Sequence, residues 1–267
     1  MTDGDSVSAQ DHSASIGGNV GRDVNIYHGT PPAPDAETYA PPAPPDAGVI
    51  PDPGPLPPGS RVLLARNANF TGREEALQTL ARTLLHGAGA ALVTQVVQGM
   101  GGVGKTQLAV EFAHRYGRFF HGVHWINAAE PETIGAEVAA CGRAMGLQPW
   151  PEQLPDQVGA TLAAWQRGGA RLLILDNLED VETARAWLGR LSGGPLRVLL
   201  TARLMDWPGD LGLAALRLDT FSPEESRALL EKTSEVSETL EVWDALAERL
   251  GHLPLALELV AARVRRG

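Results

Sequence analysis

The chain has 267 residues, of which 43% are hydrophobic, and a formal net charge of −10 at pH 7, a size that suffices for one full α/β domain and a smaller companion. The first 60 residues carry 8 acidic residues and one Arg, so most of the negative charge lies there and the remainder is nearly balanced. Such a chain lacks the basic stripe that nucleic acid requires, and its apolar runs are shorter than the roughly 18 to 20 residues that span a bilayer, so we expect neither nucleic-acid nor membrane binding.

The N-terminal region is acidic and rich in proline. Residues 31–60 contain 12 prolines, a composition that buries too little apolar surface to offset its ordering entropy. We therefore predict a disordered tail over residues 1–60. Within it, residues 13–29 space β-branched residues between Gly, Asn and Asp, which also fits a short β motif, and both interpretations stay open.

Strands alternate with amphipathic helices over residues 61–220, which is the pattern of a parallel sheet with helices on both faces. The predicted strands are 91–98, 122–127, 172–176, 197–201 and 213–218. The predicted helices are 105–116, 132–145, 158–167 and 181–191. Residues 221–267 are purely helical, with predicted helices at 223–232, 240–250 and 253–265. The predicted fold is thus α/β, with a five-stranded parallel sheet covered by helices on both faces, followed by a small helical domain.

A G-x-x-x-x-G-K-[ST] sequence lies between the first of these strands and its helix, in the context that a phosphate-binding loop requires. The α/β domain is therefore predicted to be a P-loop NTPase. Its glycines let backbone N–H groups turn toward phosphate oxygens, and the helix N-terminus adds positive potential. Lys105 neutralises phosphate charge, and the Thr106 hydroxyl can ligate Mg²⁺. The predicted nucleotide-binding residues are Gly99, Met100, Gly101, Gly102, Val103, Gly104, Lys105, Thr106 and Gln107.

Asp176 and Arg203 are the other candidates for the phosphate end of the site. Asp176 ends an apolar run, so a buried strand delivers its carboxylate to the edge of the sheet where ligands bind, and we predict that it holds Mg²⁺ with Thr106. Arg203 follows the strand 197–201 and would lie beside Asp176 if the two strands are neighbours. A guanidinium there can sense the terminal phosphate. We group Lys105, Asp176 and Arg203 as the candidate catalytic residues.

In their order along the chain, these motifs resemble the NB-ARC type of STAND nucleotide switch, found in plant immune receptors, animal apoptosome proteins and many bacterial regulators. The resemblance covers about Asn69 to Arg265. Besides the loop and the two strand ends, it rests on Phe70-Thr71-Gly72-Arg73-Glu74, on His124-Trp125-Ile126-Asn127 and on Gly251-His252-Leu253-Pro254-Leu255-Ala256.

The resemblance implies a purine nucleotide, ATP or ADP with Mg²⁺, between the sheet and helical domains. It implies that Arg73 approaches the adenine and that Pro254 packs on the base. It further implies a cytoplasmic signalling switch that ADP holds closed, that ATP opens and assembles into a homo-oligomer, and that slow hydrolysis resets.

Two departures from the family pattern bear on activity. Asn177 stands where many members carry a second acidic residue, and an amide cannot accept a proton from the attacking water. Glu179 or Asp180 are the available substitutes, so whether the chain is an enzyme stays open and a slow ATPase is the most we expect. The family also continues into a winged-helix domain and repeats beyond the position of Gly267, which suggests a fragment or partners that supply the rest.

Several alternatives stay open or are set aside. A continuously working motor ATPase of the AAA+ type and the nucleotide-binding part of a transcriptional regulator are the other candidate functions.

A metal shared by His121 and His124 is not expected, because on a strand this spacing points the side chains to opposite faces. Cys141 fits a small core residue, and a single cysteine agrees with a reducing cytoplasm.

The segment at residues 13–29 is the candidate contact with an effector protein. It loosely resembles short signalling motifs that some bacterial STAND proteins carry at a terminus and that assemble into β-arcs with the same motif in an effector. Identical short strands stacked in register satisfy one another's backbone groups, so assembly is physically sound.

Overall fold

The structure, a computed structural model, describes residues 39–87, 93–234 and 239–265. The predicted β motif at residues 13–29 and the first 38 residues of the predicted tail lie outside these ranges.

Five parallel strands form the central sheet, in the order β2-β3-β4-β1-β5, as the alternating pattern predicted. The inner strands are nearly continuous apolar runs because helices cover both faces of the sheet. All strands run the same way, so their carboxyl ends meet at one edge. The strands are β1 (Val93–Gln98), β2 (Val123–Asn127), β3 (Arg171–Asp176), β4 (Leu196–Ala202) and β5 (Ala214–Arg217).

Helices pack on both faces of the sheet, which also confirms the prediction. Because side chains alternate along a strand, Leu172 and Ile174 face α1 and α2, whereas Leu173 and Leu175 face α3, α4 and α5. Each set belongs to its own buried apolar cluster. The helices are α1 (Glu74–Leu84), α2 (Lys105–Tyr116), α3 (Ile134–Ala144), α4 (Leu154–Trp165) and α5 (Val181–Leu191).

A small helical domain follows the sheet domain, as predicted. Its buried core includes Phe221, Leu230, Trp243 and Leu257, one apolar side chain from the connection after β5 and one from each helix. The helices are α6 (Pro223–Ser234), α7 (Leu240–Arg249) and α8 (Pro254–Arg265).

Helix α1 was not predicted, although its sequence carries the signal. Leu77, Leu80, Ala81 and Leu84 are buried at helical spacing. The segment just before this helix, residues 67–73, contributes to the wall of the cavity described below.

Residues 39–60 differ from the predicted disorder, because they pack along α2. The Tyr39 hydroxyl donates to the Arg118 carbonyl at 2.8 Å, and the Arg115 guanidinium donates to the Pro51 carbonyl at 2.9 Å. The composition argument considered only whether the segment could bury itself. Proline also restricts the backbone in advance, and the segment finds a donor on α2 and an acceptor just after it.

Candidate functional site

The phosphate-binding loop connects β1 to α2, which begins at Lys105 as predicted. Two of its glycines have backbone angles that other residues rarely adopt, with φ of 82° at Gly102 and 97° at Gly104. A side chain at Gly102 would also meet Leu253 and Leu255 of the helical domain at about 3.5 Å. The loop is therefore shaped by glycine and lies against the second domain.

Lys105 lies in the floor of this loop with 8% of its surface exposed. Its Nζ donates to the carbonyls of Gly99 at 2.7 Å and Met100 at 2.9 Å. Burial lowers the pKa of Lys105 from its ordinary value, and the Glu179 carboxylate opposes that shift. The ammonium is held by the loop backbone beside the space where phosphate would lie.

Asp176 ends β3 beneath α2, with 5% of its surface exposed. Its Oδ1 accepts hydrogen bonds from Thr106 Oγ1 at 2.9 Å and from Thr201 Oγ1 at 2.5 Å. Burial raises the pKa of Asp176, while the bonds from Thr201 and Thr106 lower it. A carboxylate and a hydroxyl oxygen at hydrogen-bond distance are the hard donors that Mg²⁺ takes beside phosphates, so the donor set fits that ion.

Arg203 lies just beyond β4, which pairs with β3 as the prediction for Arg203 required. Its side chain is 71% exposed and its Nε lies 3.2 Å from Glu179 Oε1. The Arg203 backbone N–H also donates to that carboxylate at 2.9 Å. Glu179 therefore holds both the backbone and the guanidinium of Arg203 at the mouth of the site.

The polar residues that follow Asp176 make different contacts. Asp180 accepts a hydrogen bond from the Thr183 backbone N–H at 2.7 Å and so caps the N-terminus of α5. Asn177 is exposed, with φ of 62°, and its backbone N–H donates to Thr201 Oγ1 at 3.0 Å. Of the two predicted substitutes for a second acidic residue, only Glu179 lines the pocket described below.

Arg73 and Pro254 occupy the opposite end of the site. Arg73 precedes α1 in a left-handed conformation, and its guanidinium donates to the carbonyls of Val103 at 3.1 Å and Asp219 at 2.5 Å. It also lies 4.6 Å from the centre of the Phe221 ring. Burial lowers the pKa of Arg73 from its ordinary value, and Glu225 and Asp219 oppose that shift.

Pro254 is buried at the start of α8, where its missing N–H leaves no helix bond unmade. The next residue, Leu255, donates its backbone N–H to the Gly102 carbonyl at 3.2 Å. This bond connects α8 of the helical domain directly to the phosphate-binding loop.

A cavity of about 550 Å³ joins the two ends of the site. Most predicted residues line it, but Gly99, Met100 and Asp176 do not: the Met100 side chain is 61% exposed, and Asp176 lies beneath Thr106. The predicted residues that line it are Arg73, Gly101, Gly102, Val103, Gly104, Lys105, Thr106, Gln107, Arg203 and Pro254.

Sequence reasoning missed several lining residues, because they come from positions far apart in the chain. Asn67 and Glu258 are 191 residues apart and joined by a hydrogen bond of 3.2 Å. No local pattern marks such a pair. The lining residues that were not predicted as site residues are Asn67, Asn69, Phe70, Thr71, Ala129, Asn177, Phe221, Leu229, Leu255 and Glu258.

The histidine and cysteine candidates lie away from this cavity. His124 is fully buried beside Trp165, and burial lowers its pKa to about 3. Burial raises the pKa of the Cys141 thiol to about 12, as expected for a core residue. In the described ranges, no three His, Cys, Asp or Glu side chains group closely enough to hold a metal by themselves, and no helix is long and apolar enough to cross a membrane.

Comparisons with known proteins agree with this geometry. The family model described as the NB-ARC domain matches residues 73–239. Regulatory protein AfsR of Streptomyces griseus is 32% identical over 208 residues, 73% of this chain and 21% of that protein. The putative HTH-type transcriptional regulator Rv0890c of Mycobacterium tuberculosis is 29% identical over 181 residues, 62% of this chain and 20% of that protein. The chain therefore spans about a fifth of the length of these relatives.

A solved structure, Cdc6p from Pyrobaculum aerophilum, shares the fold. It has a TM-score of 0.59 and 15% identity, over 77% of this chain and 65% of that one. At this identity the likeness bears on the architecture of sheet and helices alone.

Proposed function

The chain belongs to the NB-ARC family of nucleotide-binding domains, and we propose that it is a signalling switch controlled by ATP and ADP. The observation that carries the proposal is the composition of the cavity wall: Lys105 and Arg73 come from the sheet domain, whereas Pro254 and Glu258 come from α8. A ligand in this cavity touches both domains. A ligand shifts a conformational equilibrium only when its contacts differ between the two states.

At the phosphate end, backbone N–H groups of residues 101–106 bind the phosphates and Lys105 neutralises their charge. Thr106 and Asp176 hold Mg²⁺, which supplies charge neutralisation for the β- and γ-phosphates when it is bound.

Arg203 and Glu179 distinguish ATP from ADP in this proposal. Glu179 Oε1 lies 3.2 Å from Arg203 Nε. A γ-phosphate competes for the same guanidinium, since phosphate oxygens and carboxylates accept the same charge-assisted bonds. The exchange of partners changes the loop after β4 and so reports the third phosphate.

Hydrolysis is slow in this account. The amide of Asn177 cannot act as a base, and both Glu179 oxygens already accept N–H groups of residues 203 and 204. These two backbone N–H contacts remain when the Arg203 guanidinium turns toward a γ-phosphate, so Glu179 stays a poor base in the ATP state. The ATP state therefore lasts long enough for a homo-oligomer to assemble.

A second candidate function follows from the names of the relatives. Rv0890c is described as a putative HTH-type transcriptional regulator, and AfsR as a regulatory protein. The chain could therefore be the nucleotide-controlled part of a longer transcriptional regulator, in which another segment contacts DNA.

A titration that reports affinity and size together tests the switch. The full chain is titrated with ADP and with ATP/Mg²⁺ while its mass is followed by light scattering. We expect both to bind and only ATP/Mg²⁺ to produce a larger species, with turnover below the roughly one per second of an ordinary enzyme. Binding without any change of size or shape would contradict the switch, and faster turnover would favour a motor.

A further inference from the structure

The segment from Asn67 to Arg73, here called the lead-in segment, is held by three side chains of the helical domain. Glu258 of α8 accepts from Asn67 Nδ2 at 3.2 Å, and Lys232 of α6 donates to the Phe70 carbonyl at 3.1 Å. The third contact is that of Glu225, whose Oε1 accepts the Arg73 backbone N–H at 2.9 Å. Four residues of this segment, Asn67, Asn69, Phe70 and Thr71, line the nucleotide cavity along with Arg73.

Glu225 belongs to a capping box at the start of α6. The Glu225 backbone N–H donates to Ser222 Oγ at 3.2 Å, and Glu225 Oε2 accepts the Ser222 backbone N–H at 2.9 Å. This reciprocal pair satisfies two N–H groups at the helix end. The cap uses one carboxylate oxygen, so the other is available for Arg73.

The backbone at Gly72 and Arg73 is shaped around this carboxylate. Both residues have positive φ, 70° and 66°. A Cβ on Gly72 would collide with the Glu225 carboxyl group. The Arg73 N–H belongs to the start of α1, where the helix itself offers no acceptor, and Glu225 supplies that acceptor from the other domain.

The position of the Arg73 backbone determines where its guanidinium reaches. The guanidinium donates to the Val103 carbonyl in the phosphate-binding loop at 3.1 Å. It also donates to the Asp219 carbonyl in the connection between the domains and covers the Phe221 ring. Glu225 is thus connected through Arg73 to the wall of the nucleotide cavity.

We infer that Glu225 is a positioning residue that couples docking of the helical domain to binding of the nucleoside part of ADP, by fixing the Arg73 backbone. This inference rests on the proposed nucleotide site. The contrasting role for Glu225 is a helix cap without influence on the ligand. The two roles differ in what happens when the cap is weakened but the contact to Arg73 is kept.

The test compares three variants of the full chain by calorimetric titration with ADP and with inorganic pyrophosphate. Glu225→Asp keeps the charge but shortens the side chain, and Gly72→Ala places a methyl group against the carboxylate and also strains the backbone, whose φ there is 70°. Ser222→Ala is the matched control, because it removes the hydroxyl acceptor of the cap and leaves the contact to Arg73. Thermal unfolding shows how far each substitution destabilises the fold.

We expect Glu225→Asp and Gly72→Ala to weaken ADP binding about 10-fold, which corresponds to loss of one hydrogen bond to a charged group. The affinity for pyrophosphate, which reaches only the phosphate end, should change less than about 2-fold in these two variants. Ser222→Ala should bind ADP as the wild type does. Equal loss of ADP affinity in Ser222→Ala and Glu225→Asp, or no loss in either, overturns the inference alone. Failure of the wild type to bind ADP would overturn the proposed site as well.

Discussion

The two ends of the nucleotide cavity are built in different ways. The phosphate end comes from one continuous loop and the ends of two neighbouring strands, all within the sheet domain. The base end is assembled from the lead-in segment, the connection after β5 and α8, which are brought together by contacts such as Asn67 with Glu258.

This difference assigns different roles to the two ends. In the proposed switch, the phosphate end stays intact whenever the sheet domain is folded and provides affinity in every state. We propose that the base end forms only while the helical domain is docked and so provides the difference in affinity between states that a switch requires. Substitutions at the two ends should therefore have distinct effects.

The largest effect is expected for Lys105→Ala at the phosphate end. Loss of an ammonium that binds phosphate should weaken ADP and ATP/Mg²⁺ alike by roughly 100-fold, since charged hydrogen bonds are worth up to about 3 kcal/mol. Isothermal titration measures it. Met100→Ala in the same loop is the control, because the exposed Met100 side chain lies outside the cavity, and it should bind both nucleotides normally. Unchanged binding by Lys105→Ala would disprove the phosphate end.

The next effect concerns a buried histidine in the central sheet. His124 is fully buried, neither ring nitrogen has a hydrogen-bond partner, and its pKa is about 3 rather than 6.5. Below pH 6.5, His124 therefore binds a proton in the unfolded chain but not in the folded chain. The free energy of unfolding accordingly falls as the pH drops from 6.5 toward 3. From pH 7 to pH 5 this amounts to about 2 kcal/mol.

Urea denaturation of His124→Leu at both pH values measures this effect. The variant should lose about 2 kcal/mol less than the wild type on acidification. The same substitution at exposed His86 is the matched control. An unaltered pH dependence in His124→Leu would show that His124 does not resist protonation.

A smaller effect separates ATP from ADP at the phosphate end. Arg203→Ala should weaken ATP/Mg²⁺ about 10-fold and ADP less than 2-fold, because only ATP offers the guanidinium a γ-phosphate. Competition titration with a fluorescent nucleotide measures the ratio. Arg185→Ala removes an exposed arginine that also pairs with a carboxylate, that of Asp210, and should leave the ratio alone. Equal losses for both nucleotides would argue against a sensor.

The smallest effect lies at the base end. Asn67→Ala and Glu258→Ala should each weaken ADP about 3-fold, and the double variant no further, because both remove one interaction. Pyrophosphate binding should stay constant throughout. A 9-fold loss in the double variant would mean that the two side chains act independently rather than as a contact between domains.

The same contrast explains what the sequence could predict. The parallel sheet, the boundaries of α2 and α5, and the pairing of the strands that precede Asp176 and Arg203 follow from periodicity and from one motif, which are local signals. The base end depends on residues that meet only in the folded chain. Glu225 is an instructive case: Ser222-Pro-Glu-Glu225 is a recognisable capping box, yet nothing in it predicts a bond to Arg73.

Residues 39–60 show the same limit in another form. Their proline content predicted disorder because the segment has no core of its own, whereas the structure places it along α2 through bonds such as that from Arg115 to the Pro51 carbonyl. A composition argument treats a segment alone and misses partners that the fold supplies.

The central claim, that nucleotide state controls docking of the two domains, is tested most directly by a distance measurement. Spin labels at exposed positions of α4 and α7, through Ala163→Cys and Glu248→Cys in a Cys141→Ala background, report the separation of the domains by pulsed electron resonance. We expect one narrow distribution of label distances with ADP, and a distribution that is broader or shifted to longer distances with a non-hydrolysable ATP analogue and Mg²⁺. Identical distributions in both states, at saturating nucleotide, would contradict it.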